Sequence, residues 1–193
     1  TYVPFFLYDY HSDMSFRAIG TKVRTWSDSK YHYTETSYYD VAREMDGDFD
    51  KVPVDASIAM DDGTMDLMEP YTYRELEAHQ DKYLSGFYAE KYNMEEGEVA
   101  YRAEKKVRRD SEELLNNTLG GYATLTNVNK NIAVHKRDVK FALLPIWEYV
   151  FNYQGVDYKL HVNGQTGKVV GKTPISKSRV LAYGATVFGM IYI

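Results

Sequence analysis

Cysteine is absent from all 193 residues, which excludes a disulfide framework and any zinc site built on thiolates within this chain. No Walker A sequence, His-Glu-x-x-His pair or Gly-x-Ser-x-Gly elbow is present, so the common signatures of nucleotide hydrolysis, zinc proteolysis and serine nucleophiles are all missing. The chain opens at Thr1-Tyr2-Val3 with no initiator methionine, basic leader or small-residue cleavage site, and reads as an internal fragment of a longer protein. Long apolar runs are also scarce. The one candidate is Val180 to Ile193, 14 uncharged residues against the roughly 20 needed to cross a bilayer. It reads either as the start of a truncated span or as a last buried element. Lys172, Lys177 and Arg179 precede it, and basic residues beside a span mark its cytoplasmic side.

What is abundant is aromatic: 19 tyrosines and 8 phenylalanines, in a chain that is 44% hydrophobic and 26% charged. That composition belongs to an ordered domain rich in strands, not to a disordered chain. The net charge of −5 conceals a gradient, with 14 acids against 6 bases in residues 1–70 and 3 acids against 9 bases in residues 121–193. An acidic chain without clustered Lys and Arg argues against nucleic acid as the partner of this fragment.

The patterns predict an α+β fold with one domain over 1–179, followed by the apolar tail 180–193. Strands occupy 1–55, where Tyr31-His32-Tyr33-Thr34-Glu35-Thr36-Ser37-Tyr38 alternates ring and polar residues. A helix pair is expected over 71–119. Thr72 and Glu75 have the spacing of a capping box ahead of Leu76, Leu84, Phe87 and Tyr88. Asn93 and Glu96 repeat it ahead of Val99, Ala103, Val107 and Leu114, and Gly120-Gly121 supplies a stop. Further antiparallel strands fill 121–171. In one of them, Val139 to Tyr153, apolar side chains on both faces predict a central strand buried on each side, with a kink at Pro145.

Candidate chemistry is sparse. Asn163-Gly164-Gln165-Thr166-Gly167-Lys168 lacks the first glycine and the hydroxyl of a P-loop and is read as a tight turn whose Asn-Gly and Gly-Lys steps take positive φ. Asp46, Asp48 and Asp50, and then Asp55, Asp61, Asp62 and Asp66, form two oxygen-rich stretches. Neither has EF-hand spacing, so Asp46, Asp48, Asp50, Asp61 and Asp62 are weak cation candidates, and solvated turn acids are the better account. His11, His32, His79, His135 and His161 are isolated in sequence, and alternation places His161 on an exposed sheet face. No catalytic residue and no cofactor is assigned.

Thr21-Lys22-Val23-Arg24-Thr25-Trp26, Tyr33-Thr34-Glu35-Thr36, Val52-Pro53-Val54-Asp55 and Leu143-Leu144-Pro145, with the Asn163–Lys168 turn, resemble an uncharacterised bacterial family of zinc-ribbon membrane proteins. The resemblance spans nearly the whole chain. It implies a transcription-factor-IIB-type zinc ribbon upstream, the only place where zinc is implied, and a membrane segment downstream. The Tyr158–Val170 hairpin is similar to the last strands of PepSY-type domains. Together these features predict a non-catalytic, membrane-tethered interaction or sensory module at the cytoplasmic face of a bacterial membrane, with a protein or small-ligand partner. Two alternatives remain at this level: a hydrolase whose site joins Asp61, Asp62 or Asp66 to a distant histidine in space, and a spacer domain of a zinc-ribbon nucleic-acid-binding protein.

Overall fold

The computed structural model describes residues 1–58, 61–90 and 93–174, together with 176, 179, 181, 183 and 188. Five strands and one long helix dominate: β1 (Tyr2–Ser27), β2 (His32–Asp55), a short helix α1 (Asp62–Leu67), α2 (Glu96–Asn117), β3 (Thr124–Tyr153), β4 (Val156–Asn163) and β5 (Val169–Gly171). The strands follow the order β2-β1-β3-β4-β5. The chain divides into two compact units, one formed by Pro4–Ile58 and Lys91–Leu143, the other by Thr1–Val3, Ala59–Glu90 and Leu144–Ile193.

The first unit is an antiparallel ribbon of β1 and β2, widened by the start of β3 and covered on one face by α2. Even-numbered residues of β1, from Tyr8 to Ala18, are buried, and so is Val41 of β2. Val99, Ala103, Val107, Ser111 and Leu115 recur every fourth residue on α2 and are buried, so one stripe of the helix meets one face of the ribbon. Burial of the tyrosines requires their hydroxyls to find acceptors. Tyr8 donates to the Glu96 carbonyl at 2.9 Å and Tyr10 to the Ala100 carbonyl at 3.4 Å. Buried Ser111 donates to Ser12 at 2.9 Å. Gly20 keeps the ring of Tyr122 close, since a Cβ there would lie 2.5 Å from Tyr122 Cδ1.

The second unit joins the end of β3 to β4 and β5. Ile146 pairs with Asn163 and Tyr153 with Val156, and the Gln154-Gly155 turn between the strands has φ of 53° and 79°, the two positive values of a type I′ hairpin.

Three sequence expectations change here. The α+β reading with a central helical hairpin is replaced by a mainly antiparallel β structure with, among the described residues, one long helix. Among the described residues, 71–90 hold two 3-10 turns, Tyr73–Glu75 and Asp81–Leu84, and no helix longer than these, and Thr72 makes no side-chain cap bond. Between Leu76 and Leu84 the turn that would complete an apolar stripe carries His79 and Gln80. Leu76, Phe87 and Tyr88 are exposed, and a helix without a buried face is not held by propensity alone. Second, the expected burial of β3 on both faces fails: Leu144 and Ile146 are buried, whereas Phe141 is half exposed and Trp147 and Tyr149 are 61% and 60% exposed. Third, Leu114 is exposed, and Leu115 takes its place in the buried stripe of α2. Among the described residues no helix is long and apolar enough to cross a membrane. The proposed span at 180–193 lies outside the described residues except for Leu181, Tyr183 and Phe188, which are exposed.

Candidate functional site

β3 meets β1 only up to Thr21, where Ala123 N–H donates to the Thr21 carbonyl at 2.7 Å and the Thr21 and Thr124 hydroxyls lie 2.6 Å apart. Beyond that point, among the described residues, β1 and β2 continue without a third strand, in a register that opposes Lys22 to Ser37, Arg24 to Glu35, and Trp26 to Tyr33. A two-stranded ribbon without a core is marginal in water, so its stability must come from cross-strand pairs. The residues supply them. Trp26 and Tyr33 stack with centroids 5.4 Å apart, and Tyr31 meets Tyr33 edge-on at 6.3 Å. Arg24 lies 5.5 Å from the Trp26 ring centroid, and Lys22 lies 5.3 Å from Tyr39 and 5.5 Å from Tyr122, within range of cation–π attraction.

The tip is locked by Asp28. Its carboxylate accepts the backbone N–H groups of Lys30 (2.7 Å) and Tyr31 (2.8 Å) and the hydroxyl of Tyr33 (2.9 Å). These donors hold the Asp28 pKa below its ordinary value, while the same contact raises that of Tyr33. The result is a stiff arm that displays rings to solvent: Trp26 is 45% exposed, Tyr31 63% and Tyr38 73%. Aromatic and arginine side chains of this kind anchor protein interfaces.

Away from α2, the other face of the same unit carries charge. His11 Nδ1 lies 2.6 Å from Asp48 and Arg137 Nη1 2.8 Å from the same carboxylate. Asp13 lies 3.5 Å from His11 Nε2 and 3.7 Å from His135 Nε2. Beside them an open depression of about 340 Å³ is lined by Asp13, Ser15, Glu44, Asp46 and Asn131. The hydrogen bond to Asp48 raises the His11 pKa, opposed by burial and by Arg137, and the Asp48 pKa is lowered chiefly by His11. The raised histidine favours the folded state below its unfolded pKa and loses that contribution as pH rises through its folded value. The lowered aspartate contributes above its unfolded pKa and loses that contribution as pH falls through its folded value. The pair therefore acts between the two folded values. By NMR titration His11 is expected to show a pKa above about 6.5, to fall toward that value in Asp48→Asn, and to rise further in Arg137→Ala. An unchanged value in Asp48→Asn overturns the assignment.

The aspartates singled out in the sequence are dispersed. Asp46 opposes Asp13 across the strands, Asp48 pairs with His11 and Arg137, and Asp50 sits on the exposed edge strand β2. Charged residues on an edge strand also discourage pairing with other chains. Asp61, in the other unit, caps α1 by accepting the Thr64 hydroxyl and the Thr64 N–H, both at 2.9 Å, contacts that lower its pKa, the hydroxyl most. Asp62 opens that helix and Asp66 lies within it. Among the described residues no group of three or more His, Asp or Glu side chains is arranged to hold a metal ion. His161, expected on an exposed face, is 8% exposed. The Asn163–Lys168 segment is a turn, but only Gly167 has positive φ, at 74°. Gly164 is needed for space instead: a Cβ there would lie 2.8 Å from Pro145 Cβ. Sequence reasoning singled out the Tyr31–Tyr38 alternation as strand but not as the exposed half of an arm, because periodicity does not report which strands end early.

No family model matches the sequence. A curated relative from Bacillus subtilis (strain 168), named "Uncharacterized protein YdjG", is 37% identical over 188 residues, 97% of this chain. No solved structure matches. The chain spans about half the length (55%) of the curated relative it matches, and that relative's name specifies no activity.

Proposed function

We propose that this chain is a non-catalytic interaction module of a bacterial protein and that the arm formed by residues 22–38 is its contact element, working at the cytoplasmic face of the cell membrane. The carrying observation is the arm itself, a ribbon whose rings stack across the strands and lie against its cations and yet remain open to solvent. The core under α2 is built from other residues. A rigid display of Trp, Tyr and Arg binds at low ordering cost. The membrane address rests on the sequence, where Lys172, Lys177 and Arg179 precede the apolar run from Val180.

The test places a photo-reactive phenylalanine analogue at Tyr31 or Tyr38 of the full-length protein in its own cells, with Tyr101, exposed on α2, as control. Irradiation is expected to give a discrete adduct from both arm positions and none from Tyr101, in the alkali-washed membrane fraction. Adducts from Tyr101 alone, or turnover of a substrate by the purified protein that survives Trp26→Ala with Tyr33→Ala, overturn the reading.

A further inference from the structure

The arm has a free edge that is unlike the other long edge of the sheet. Asp28 N–H donates to the Tyr31 carbonyl, and the register places Lys22, Arg24 and Trp26 opposite Ser37, Glu35 and Tyr33. Hydrogen bonding alternates along an antiparallel strand, so the even-numbered residues of β1 direct their amides and carbonyls toward β2. Thr21 directs its carbonyl the other way, to Ala123. Val23, Thr25 and Ser27 therefore turn their N–H and C=O groups to the side where β3 has not yet begun. Among the described residues no backbone partner meets them there.

Edge strands are normally blunted by charge. β2 follows that rule with Asp40, Glu44, Asp46, Asp48 and Asp50. The free edge from Lys22 to Ser27 has no acid; its charges are the cations Lys22 and Arg24, and Val23 and Thr25 between them are β-branched, residues that favour extended backbone.

We propose that this edge accepts an extended acidic–aromatic peptide segment of a partner protein as an added antiparallel strand; the step rests on the arm being the contact element. The chemistry of the occupant follows from the side chains beside the edge. Lys22, Arg24 and Trp26 share one face, so an added strand meets them with every second residue: acids across the two cations and a ring across the indole. β2 already uses this solution on the other side, with Glu35 across Arg24 and Tyr33 across Trp26. On the opposite face Val23 and Thr25 favour small β-branched neighbours.

The probe is the octapeptide Tyr-His-Tyr-Thr-Glu-Thr-Ser-Tyr, the sequence of residues 31–38, titrated into the full chain up to about 2 mM and followed by amide NMR. Saturable shifts are expected at Val23, Thr25 and Ser27. Replacing the peptide's glutamate by lysine weakens binding roughly tenfold, the effect of turning a favourable cross-strand charge pair into a repulsive one. Methylating the peptide nitrogens of its two threonines, which face the edge when its third residue lies across Trp26, abolishes binding with the protein itself unaltered. Equal binding by the methylated peptide, or no shift at those three amides, overturns the inference.

Thr25→Pro removes one edge donor while leaving the bonds of Arg24 and Trp26 to β2 in place. In the photo-cross-linking experiment this variant is expected to lose the adduct from Tyr38. An adduct retained in Thr25→Pro overturns strand addition and leaves the arm standing as the contact element. No adduct in the unsubstituted protein overturns both.

Discussion

Asp55→Ala is expected to destabilise the unit that contains α2 by about 3–5 kcal/mol, the usual consequence of stranding a buried charge. Asp55 closes β2 with its side chain fully buried, and its Oδ1 accepts from Arg102 Nη2 at 2.8 Å, the arginine side chain being only 11% exposed. The pair ties the end of a long strand to the first turns of the helix, where Lys106 Nζ also donates to the Pro53 carbonyl at 2.8 Å. Without the carboxylate the guanidinium, in a nearly dry site, loses the Asp55 charge that faces it. The pair as such need not stabilise, because desolvation offsets most of its attraction. Two companion variants separate these effects. Asp55→Asn keeps an oxygen acceptor and is expected to lose about half as much, and Asp55→Leu combined with Arg102→Met is expected to recover most of the stability. Urea midpoints at constant m-value supply the comparison. A double variant as unstable as Asp55→Ala shows that the contact matters through packing and not through charge.

The helix that carries Arg102 was legible in the sequence, and its details show why only partly. The capping spacing was read two residues early, at Asn93 and Glu96, whereas the reciprocal box joins Glu95 to Glu98. Asn93 uses its side chain elsewhere, accepting the Ile58 N–H at 2.9 Å. Two overlapping Asx/Glu patterns in one stretch cannot be ranked by spacing alone. The buried stripe was followed correctly through Val99, Ala103 and Val107 and then lost, because the next position is Ser111. Ser111 is buried opposite Ser12, and a pattern search that expects apolar residues steps aside to Leu114. The error at 71–92 has the opposite origin: rings and leucines suggested a face, but a face is stable only when something covers it, and Leu76, Phe87 and Tyr88 have no such cover.

The same logic limits what sequence shows of a site. His11 and Asp48 are joined by strand register across a separation of 37 residues, and no local motif encodes that. The alternation in Tyr31–Tyr38 identified strand, but alternation usually means one wet and one dry face. Here cross-strand stacking replaces the dry face, so the residues with the clearest strand pattern are the ones left exposed. The Asp28 turn could have been anticipated from Ser-Asp-Ser between two β-rich runs. Where β3 begins is set by the C-terminal end of α2 and the turn at Gly120-Gly121, and that late start is what leaves the arm unpaired by β3.

Asn163→Asp is expected to cost about 3 kcal/mol at neutral pH in the unit built on β4 and β5, and to become less damaging as pH falls. Asn163 is 1% exposed and its amide works in both directions. Nδ2 donates to the Met68 carbonyl at 2.9 Å and to the Pro70 carbonyl at 3.2 Å. Oδ1 accepts from Gln165 N–H at 2.9 Å and Thr166 N–H at 3.0 Å. The neighbouring Gln165 side chain pairs with both backbone groups of Thr72, donating to its carbonyl at 3.2 Å and accepting its N–H. A segment that reads as an ordinary turn is thus the clamp that holds residues 68–72. Aspartate keeps the turn acceptor but replaces an N–H₂ by an oxygen facing two carbonyls, which raises its folded-state pKa. A carboxyl with a raised folded pKa binds its proton more tightly in the native state, so the penalty is small below about pH 4, where both states are protonated, and grows as pH rises through the raised value. Asn163→Ala loses the same four hydrogen bonds without acquiring a charge, and its penalty is expected to be independent of pH over that range. Stability curves of the two variants at pH 4 and pH 8, with amide exchange at residues 68–72 as the local readout, test the assignment. Parallel pH dependence in the two variants shows that the Asn163 amide does not face the carbonyls as described.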